Sequence, residues 1–289
     1  DYKPALPTKI HKSIERFSFQ RQLPSNGLTM DQISFALKDF GFGTRVYSKE
    51  PYGNNIYDVI DSYIESGIPV LIGLQSGDIG HVIIAIGKEY NDNINWNSIE
   101  KNNLILKGEE VSFYESTKIP AKYVIQDDNH IPYRMIDLDS PGENYQDDDC
   151  KAYEIDSVVV PLYSKIYLES VIAKELVFQI IKDQNVGYKF KPDFVFRFYL
   201  TSSRSFKNHI TKLTVMDDLI KNNILLTKMP KFIWVSEFYT KKNFKSSKKV
   251  ATGIVILDGY PDRCVSLNEN NFVNLQNGFC NYTYFNNLI

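Results

Sequence analysis

Three things are scarce in this 289-residue chain, and each shortage removes a class of protein. Cysteine occurs only at Cys150, Cys264 and Cys280. So few, so widely spaced, build neither a disulfide framework nor a zinc knuckle, and a reducing, cytoplasmic setting is expected. Long apolar stretches are missing. No run reaches the roughly 18 residues that a membrane-spanning helix needs. Net charge is nearly absent: 33 Lys and Arg against 35 Asp and Glu leave −2, which is no global signature of nucleic-acid binding. Asp137, Asp139, Gly142 and Asp148 fall at calcium-loop spacing, but Pro141 takes a ligand position and no helix pair flanks them. No metal or cofactor is expected.

Apolar residues make up 43% of the chain, enough for substantial cores, and the length allows two domains. Residues 1–28 are irregular, with Pro4, Pro7, Pro24 and Gly27 as breakers and a basic patch of Lys9, His11, Lys12, Arg16 and Arg21. Thr29 and Gln32 fit a capping box, Ile33, Ala36, Leu37 and Phe40 form one helical face, and Gly41 fits the stop. Thr44–Tyr47 is expected to be a short strand. A second amphipathic helix is expected over Ile56–Ser66, ended by Gly67. Pro69–Leu74 and His81–Gly87 are nearly uniform apolar runs joined by a Gly-rich turn, the pattern of paired, well-buried strands. Further strands are expected at Tyr123–Gln126 and Tyr133–Ile136. The polar, Asn-rich stretch between them and the hairpin, about 91–121, is expected to be an insertion.

Residues 137–156 are acidic and are expected to form a solvated linker. The second region, 157–289, has strand patterns at Val158–Leu162, Val195–Leu200, Phe232–Tyr239 and Val250–Leu257. Helix patterns fall at Ser164–Asp183, Ser205–Leu213 and Met216–Leu226. The expected architecture is α+β: one domain at 1–136 and an accessory α+β domain at 157–289.

Histidine and carboxylate sit where chemistry is possible. His81 opens one apolar strand and Asp127 closes another, with Asp128 as the alternative if the register slips by one. Tyr123, Ile125 and Asp127 share one face of their strand. Neighbouring strands would give an imidazole and its acceptor a rigid base. A structural role for the same residues stays open. A histidine at a strand start often bonds backbone, and Asp-Asp-Asn is an ordinary turn sequence.

Three local patterns, in order, resemble papain-like cysteine peptidases, most closely the bacteriocin-processing (double-glycine leader) peptidase group, over roughly residues 25–136. They are Gly27-Leu28-Thr29-Met30-Asp31-Gln32-Ile33 with Leu37 and Gly41-Phe42; Gly67-Ile68-Pro69-Val70-Leu71-Ile72; and Gly80-His81-Val82-Ile83 with Val124-Ile125-Gln126-Asp127. The resemblance implies a papain-like fold with an antiparallel sheet packed on helices. It also implies a thiol hydrolase or acyl-transferase acting on a peptide or isopeptide bond of a peptide or protein substrate. In that scheme His81 is general base and acid, and Asp127 orients it. The family's cysteine opens a helix before the Gly27 pattern, behind a glutamine. Residues 1–24 contain Gln20 and Gln22 but no cysteine, so the nucleophile is expected upstream of Asp1. Cys150 lies among Asp147, Asp148 and Asp149, whose charge opposes thiolate formation, and neither Cys264 nor Cys280 opens a helix.

Two other readings stand beside this one. The chain could be a catalytically dead, peptidase-like interaction module. It could be a nucleic-acid-associated accessory protein using the aromatic strand Phe194–Leu200, the following Ser202-Ser203-Arg204 and the lysines at 241, 242, 245, 248 and 249. Trp234, Glu237 and Asp258 fall at or near strand ends, and nothing in the sequence pairs them. The C-terminal region is a candidate site for a protein partner.

Overall fold

Hydrogen bonding sorts the strands into two sheets. The computed structural model describes residues 6–15, 27–53, 55–91, 93–106, 108–183, 193–213, 216, 218–244, 251–261, 273–276 and 279–285. In chain order the elements begin with helices α1 (Pro7–Glu15) and α2 (Met30–Asp39), strand β1 (Phe42–Ser48), and helices α3 (Lys49–Tyr52) and α4 (Asn55–Glu65). Strands β2 (Val70–Ser76), β3 (Ile79–Tyr90), β4 (Asn102–Leu106), β5 (Glu109–Glu115), β6 (Ala121–Gln126) and β7 (Arg134–Ile136) follow. Then come α5 (Asp148–Lys151), β8 (Glu154–Tyr163), α6 (Ser170–Asp183), β9 (Phe194–Ser202), α7 (Ser203–Lys212) and α8 (Asp218–Leu226). The chain ends with β10 (Phe232–Tyr239), α9 (Lys241–Phe244), β11 (Gly253–Pro261), β12 (Val273–Gln276) and β13 (Phe279–Phe285). Among the described residues, no helix is long and apolar enough to cross a membrane.

The first unit holds residues 1–89 and 121–166 around a six-stranded sheet ordered β1-β8-β2-β3-β6-β7. Its helices start and stop where local chemistry dictates. The Thr29 hydroxyl accepts the Gln32 N–H at 3.2 Å, and the Gln32 side chain accepts the Thr29 N–H at 3.0 Å, a complete capping box. At the end of α4, Gly67 at φ +71° lets its own N–H reach the Ile64 carbonyl while the Ile68 N–H reaches Tyr63, a Schellman closure. The hairpin β2–β3 turns on Gly77-Asp78, with Leu74 opposite His81.

Strand β8 lies between β1 and β2, so that Val158 faces Tyr47 on one side and Ile72 on the other. Val158, Val159 and Val160 are all fully buried, which requires cover on both faces of the sheet. A strand of this composition needs an interior slot, and the first sheet supplies it. The strand expected to open a second domain therefore belongs to the first, and the boundaries at 136 and 157 are corrected. The stretch 137–156 is likewise no solvated linker. A 3₁₀ turn (Pro141–Asn144) and α5 occupy it, and Pro141, Gly142 and Tyr153 are buried.

The second unit takes residues 90–120 and 167–289 around a seven-stranded sheet ordered β12-β13-β11-β10-β9-β5-β4. The expected insertion thus contributes two strands, β4 and β5, to this sheet. The pairing of β5 with β9 is parallel, and all the other pairings are antiparallel. Phe194, Phe196, Phe198 and Leu200 are buried, and Phe198 stacks on Trp234 at 4.7 Å. The Trp234 indole donates to the Leu168 carbonyl at 3.1 Å. The aromatic strand is core, which removes the stacking surface that a nucleic-acid role would use. Glu237 is buried and accepts from Arg197 at 3.2 Å, Tyr199 at 2.9 Å and Tyr239 at 2.7 Å. Lys241 pairs with Asp193 at 3.2 Å and covers the Tyr114 ring at 4.6 Å. Lys245, Lys248, Lys249 and Cys264 lie outside the described residues.

A buried ion network braces the first unit. Lys88 lies 2.5 Å from Asp61 and 2.9 Å from Glu65, with the three side chains 4%, 2% and 6% exposed. The Tyr123 hydroxyl also donates to Asp61, at 2.9 Å. Burial pushes the Asp61 carboxyl up, against the pull of Lys88. Removing the cation leaves two carboxylates in a dry site, where losing one partner of a buried pair costs about 3–5 kcal/mol. Lys88→Met is expected to lower the stability of this unit by about that amount, read as a fall in the urea midpoint of its unfolding transition.

Candidate functional site

His81 is the third residue of β3, and Asp127 follows directly on β6, its neighbour in the sheet. The strand order therefore brings together two residues far apart in sequence. His81 Nε2 lies 2.9 Å from Asp127 Oδ1. Asp128 is displaced: its Oδ1 is 3.7 Å from His81 Nε2 and its side chain is 86% exposed. Asp127, not Asp128, is the histidine's partner.

The Asp127 side chain is fully buried, and both of its oxygens accept hydrogen bonds. Oδ1 also accepts the Asn129 N–H at 2.9 Å, and Oδ2 accepts the Tyr145 hydroxyl at 2.7 Å. Burial pushes this carboxyl up. The hydrogen bonds from Tyr145, Asn129 and His81 outweigh it and hold the group below its ordinary value. Asp127 is thus an anion at neutral pH. An ionised carboxylate only accepts, so the His81 nitrogen facing it carries the hydrogen. In the neutral imidazole the other nitrogen, Nδ1, then carries the lone pair.

His81 is 15% exposed and lines a groove of about 580 Å³. One wall is the entry to α2, Gly27 to Asp31. The other comprises Gly73, Leu74 and Gln75 on β2, with Asp156 and Ser157 on β8. Among the described residues, Asp31, Asp78 and Asp156 line it, and no Lys or Arg does. A second cavity, of about 1110 Å³, lies against His130, Arg134 and Tyr145.

Aromatic rings enclose the pair. Tyr153 stacks near-parallel to His81 at 6.3 Å, and Tyr145 meets His81 edge-on at 6.0 Å and Tyr153 at 5.2 Å. His130 Nε2 is 3.9 Å from Asp127 Oδ2, too far for a hydrogen bond. The sequence reading missed Tyr145 and Tyr153 because they lie in the acidic stretch taken for a linker. The available signal was two tyrosines and a Pro-Gly pair inside a run otherwise fit for solvent.

Cys150 is the one cysteine whose side chain is described, and it is a free thiol. It lies on α5 against the Tyr153 hydroxyl; burial and this thiol push Tyr153 up to about 12. Cys150 does not line the groove beside His81. Cys280 falls in β13, and its side chain is outside the described set.

His81, Asp127 and Asp128 bring three potential metal-ligand atoms within 4.8 Å of one another. Both Asp127 oxygens already accept hydrogen bonds, however, and the 2.9 Å separation from His81 is that of such a bond. A proton therefore explains the geometry without an ion. Comparison with protein-family models, curated proteins and solved structures returns no match.

The depressed Asp127 carboxyl makes a pH prediction. Its contribution to stability is complete above the unfolded carboxylate value, ~3.9, and is lost as pH falls through the lower folded value. Asp127→Asn is therefore expected to flatten the acid limb of the stability–pH curve below about pH 4, measured by chemical denaturation across that range.

Proposed function

We propose that the first unit is a papain-like, thiol-dependent hydrolase or acyl-transferase acting on a peptide or isopeptide bond, with His81 as base and acid and Asp127 as its orienter. One observation carries this: a histidine bonded at 2.9 Å to a buried carboxylate, with the same imidazole lining an open groove. The order of the Gly27, Gly67, His81 and Asp127 patterns adds to it. Cys150 lies outside the groove, and the resemblance would place the thiol before the Gly27 pattern, in a segment preceding Asp1.

The chemistry follows from the two ring nitrogens. Nδ1 takes the thiol proton, and the thiolate attacks the carbonyl carbon of the scissile bond. The leaving amine receives that proton from Nδ1 as the carbon–nitrogen bond breaks, leaving a thioester. Water, or an acceptor amine, then attacks the thioester. Nδ1 takes its proton and returns it to the departing thiolate. Asp127 stays ionised throughout and stabilises the imidazolium. The carboxylates along the groove disfavour an acidic substrate segment.

The groove's described lining contains no thiol, and this favours a second reading: a peptide-binding module on the same scaffold. One experiment separates the two. The complete reading frame is expressed and treated with iodoacetamide, and the labelled cysteine is mapped by mass spectrometry. Rapid labelling of one cysteine upstream of Asp1 is expected, with loss of peptide-bond turnover. His81→Ala should lower turnover by about 10²–10⁴-fold, the usual worth of a positioned base. An upstream cysteine that is absent, or whose labelling ignores His81→Ala, would leave the binding module standing.

A further inference from the structure

A carboxylate turns easily about its last torsion, whose energy profile is broad. Holding one oxygen on a histidine therefore requires something to hold the other. At Asp127 the two oxygens are served by different parts of the chain. Oδ1 receives His81 and the Asn129 N–H; Oδ2 receives the Tyr145 hydroxyl at 2.7 Å. The next donor near Oδ2, His130 Nε2, stays 3.9 Å away.

Tyr145 is itself held firmly. Its N–H bonds the Gly142 carbonyl at 3.0 Å. A side chain at Gly142 would meet the Lys151 carbonyl oxygen at 2.1 Å, so this turn lies directly on the backbone at the end of α5. The Tyr145 ring packs against His130 at 5.1 Å and Tyr153 at 5.2 Å. Burial and the adjacent Asp127 push its hydroxyl well above the ordinary value, which keeps it a donor through neutral and alkaline pH.

We propose that Tyr145 is a positioning residue for the His81–Asp127 pair: its hydroxyl locks Asp127 Oδ2, keeps Oδ1 on His81 Nε2 and so leaves the Nδ1 lone pair to the groove. The proposal rests on the thiol-dependent reading for its meaning, but its geometry can be tested without any substrate.

The test is nitrogen NMR of the imidazoles in the intact chain at alkaline pH, for the unaltered protein and for Tyr145→Phe. The unaltered protein should show His81 as a single Nε2–H tautomer with a slowly exchanging proton. Tyr145→Phe should give a mixture of both tautomers and fast exchange, with the backbone spectrum elsewhere unchanged. Tyr153→Phe, which keeps all three Asp127 donors, should leave the His81 signals alone. If Tyr145→Phe retains the single tautomer and slow proton, the proposal is overturned. Should that variant fail to fold, 3-fluorotyrosine at position 145 alone makes a stronger donor and should move the Nε2–H resonance; an unmoved resonance again overturns the proposal. In the complete protein, Tyr145→Phe should lower kcat roughly tenfold with KM held, since positioning acts on the reacting state. A tautomer change in a protein whose unaltered form has no thiol-dependent turnover would retain the positioning role and reject the enzymatic reading.

Discussion

A carboxylate without water survives only where donors replace it, and the Asp127 carboxylate imposes that demand on the first unit. Its three donors come from β3, from the turn after β6 and from the 3₁₀ segment beyond β7. None of these segments is near the others in sequence. Satisfying one anion thus fixes a strand, a turn and a loop in mutual register, and it decides which way the histidine faces.

Among the described residues, three further buried carboxyl clusters are paired with a Lys or Arg, and comparison with them separates structure from chemistry. Asp61 and Glu65 share Lys88; Glu115 takes Lys174 and Asn102; Glu237 takes Arg197, Tyr199 and Tyr239. Each has a permanent cation, and none of them lines the groove beside His81. Such pairs brace a core, where losing one partner is far costlier than the net worth of the pair. Among the described residues, Asp127 has no permanent cation. Its partner is an imidazole, which has a second nitrogen besides the one bonded to the carboxylate.

Local chemistry in the sequence located much of this. The capping box at Thr29, the stop at Gly67 and the hairpin before His81 depend on neighbours a few residues apart, whereas the pairing of His81 with Asp127, 46 residues apart, is legible only through the order of the peptidase-like patterns. What escaped depends on distant choices. Val158–Leu162 is plainly a strand, but nothing local says that it enters the first sheet between β1 and β2. The residues around β4 and β5 are polar on average, and their two short strands are half-exposed at the sheet's edge, so composition reads as an excursion. Tyr145 escaped for a related reason. Its neighbours are acidic and solvated, and only the three-dimensional path carries its hydroxyl to Asp127.

The two faces of the imidazole complete the physical case. Nε2 is committed to a buried anion, so on the proposed reading proton exchange with a reacting group would use Nδ1. Cys150 cannot be the group served, because its thiol lies against Tyr153, outside that groove. On the proposed reading, a group acted on would enter between the start of α2 and the ends of β2 and β8 that line the groove. The Gly27–Asp31 pattern and the Gly80-His81-Val82 segment both line that groove.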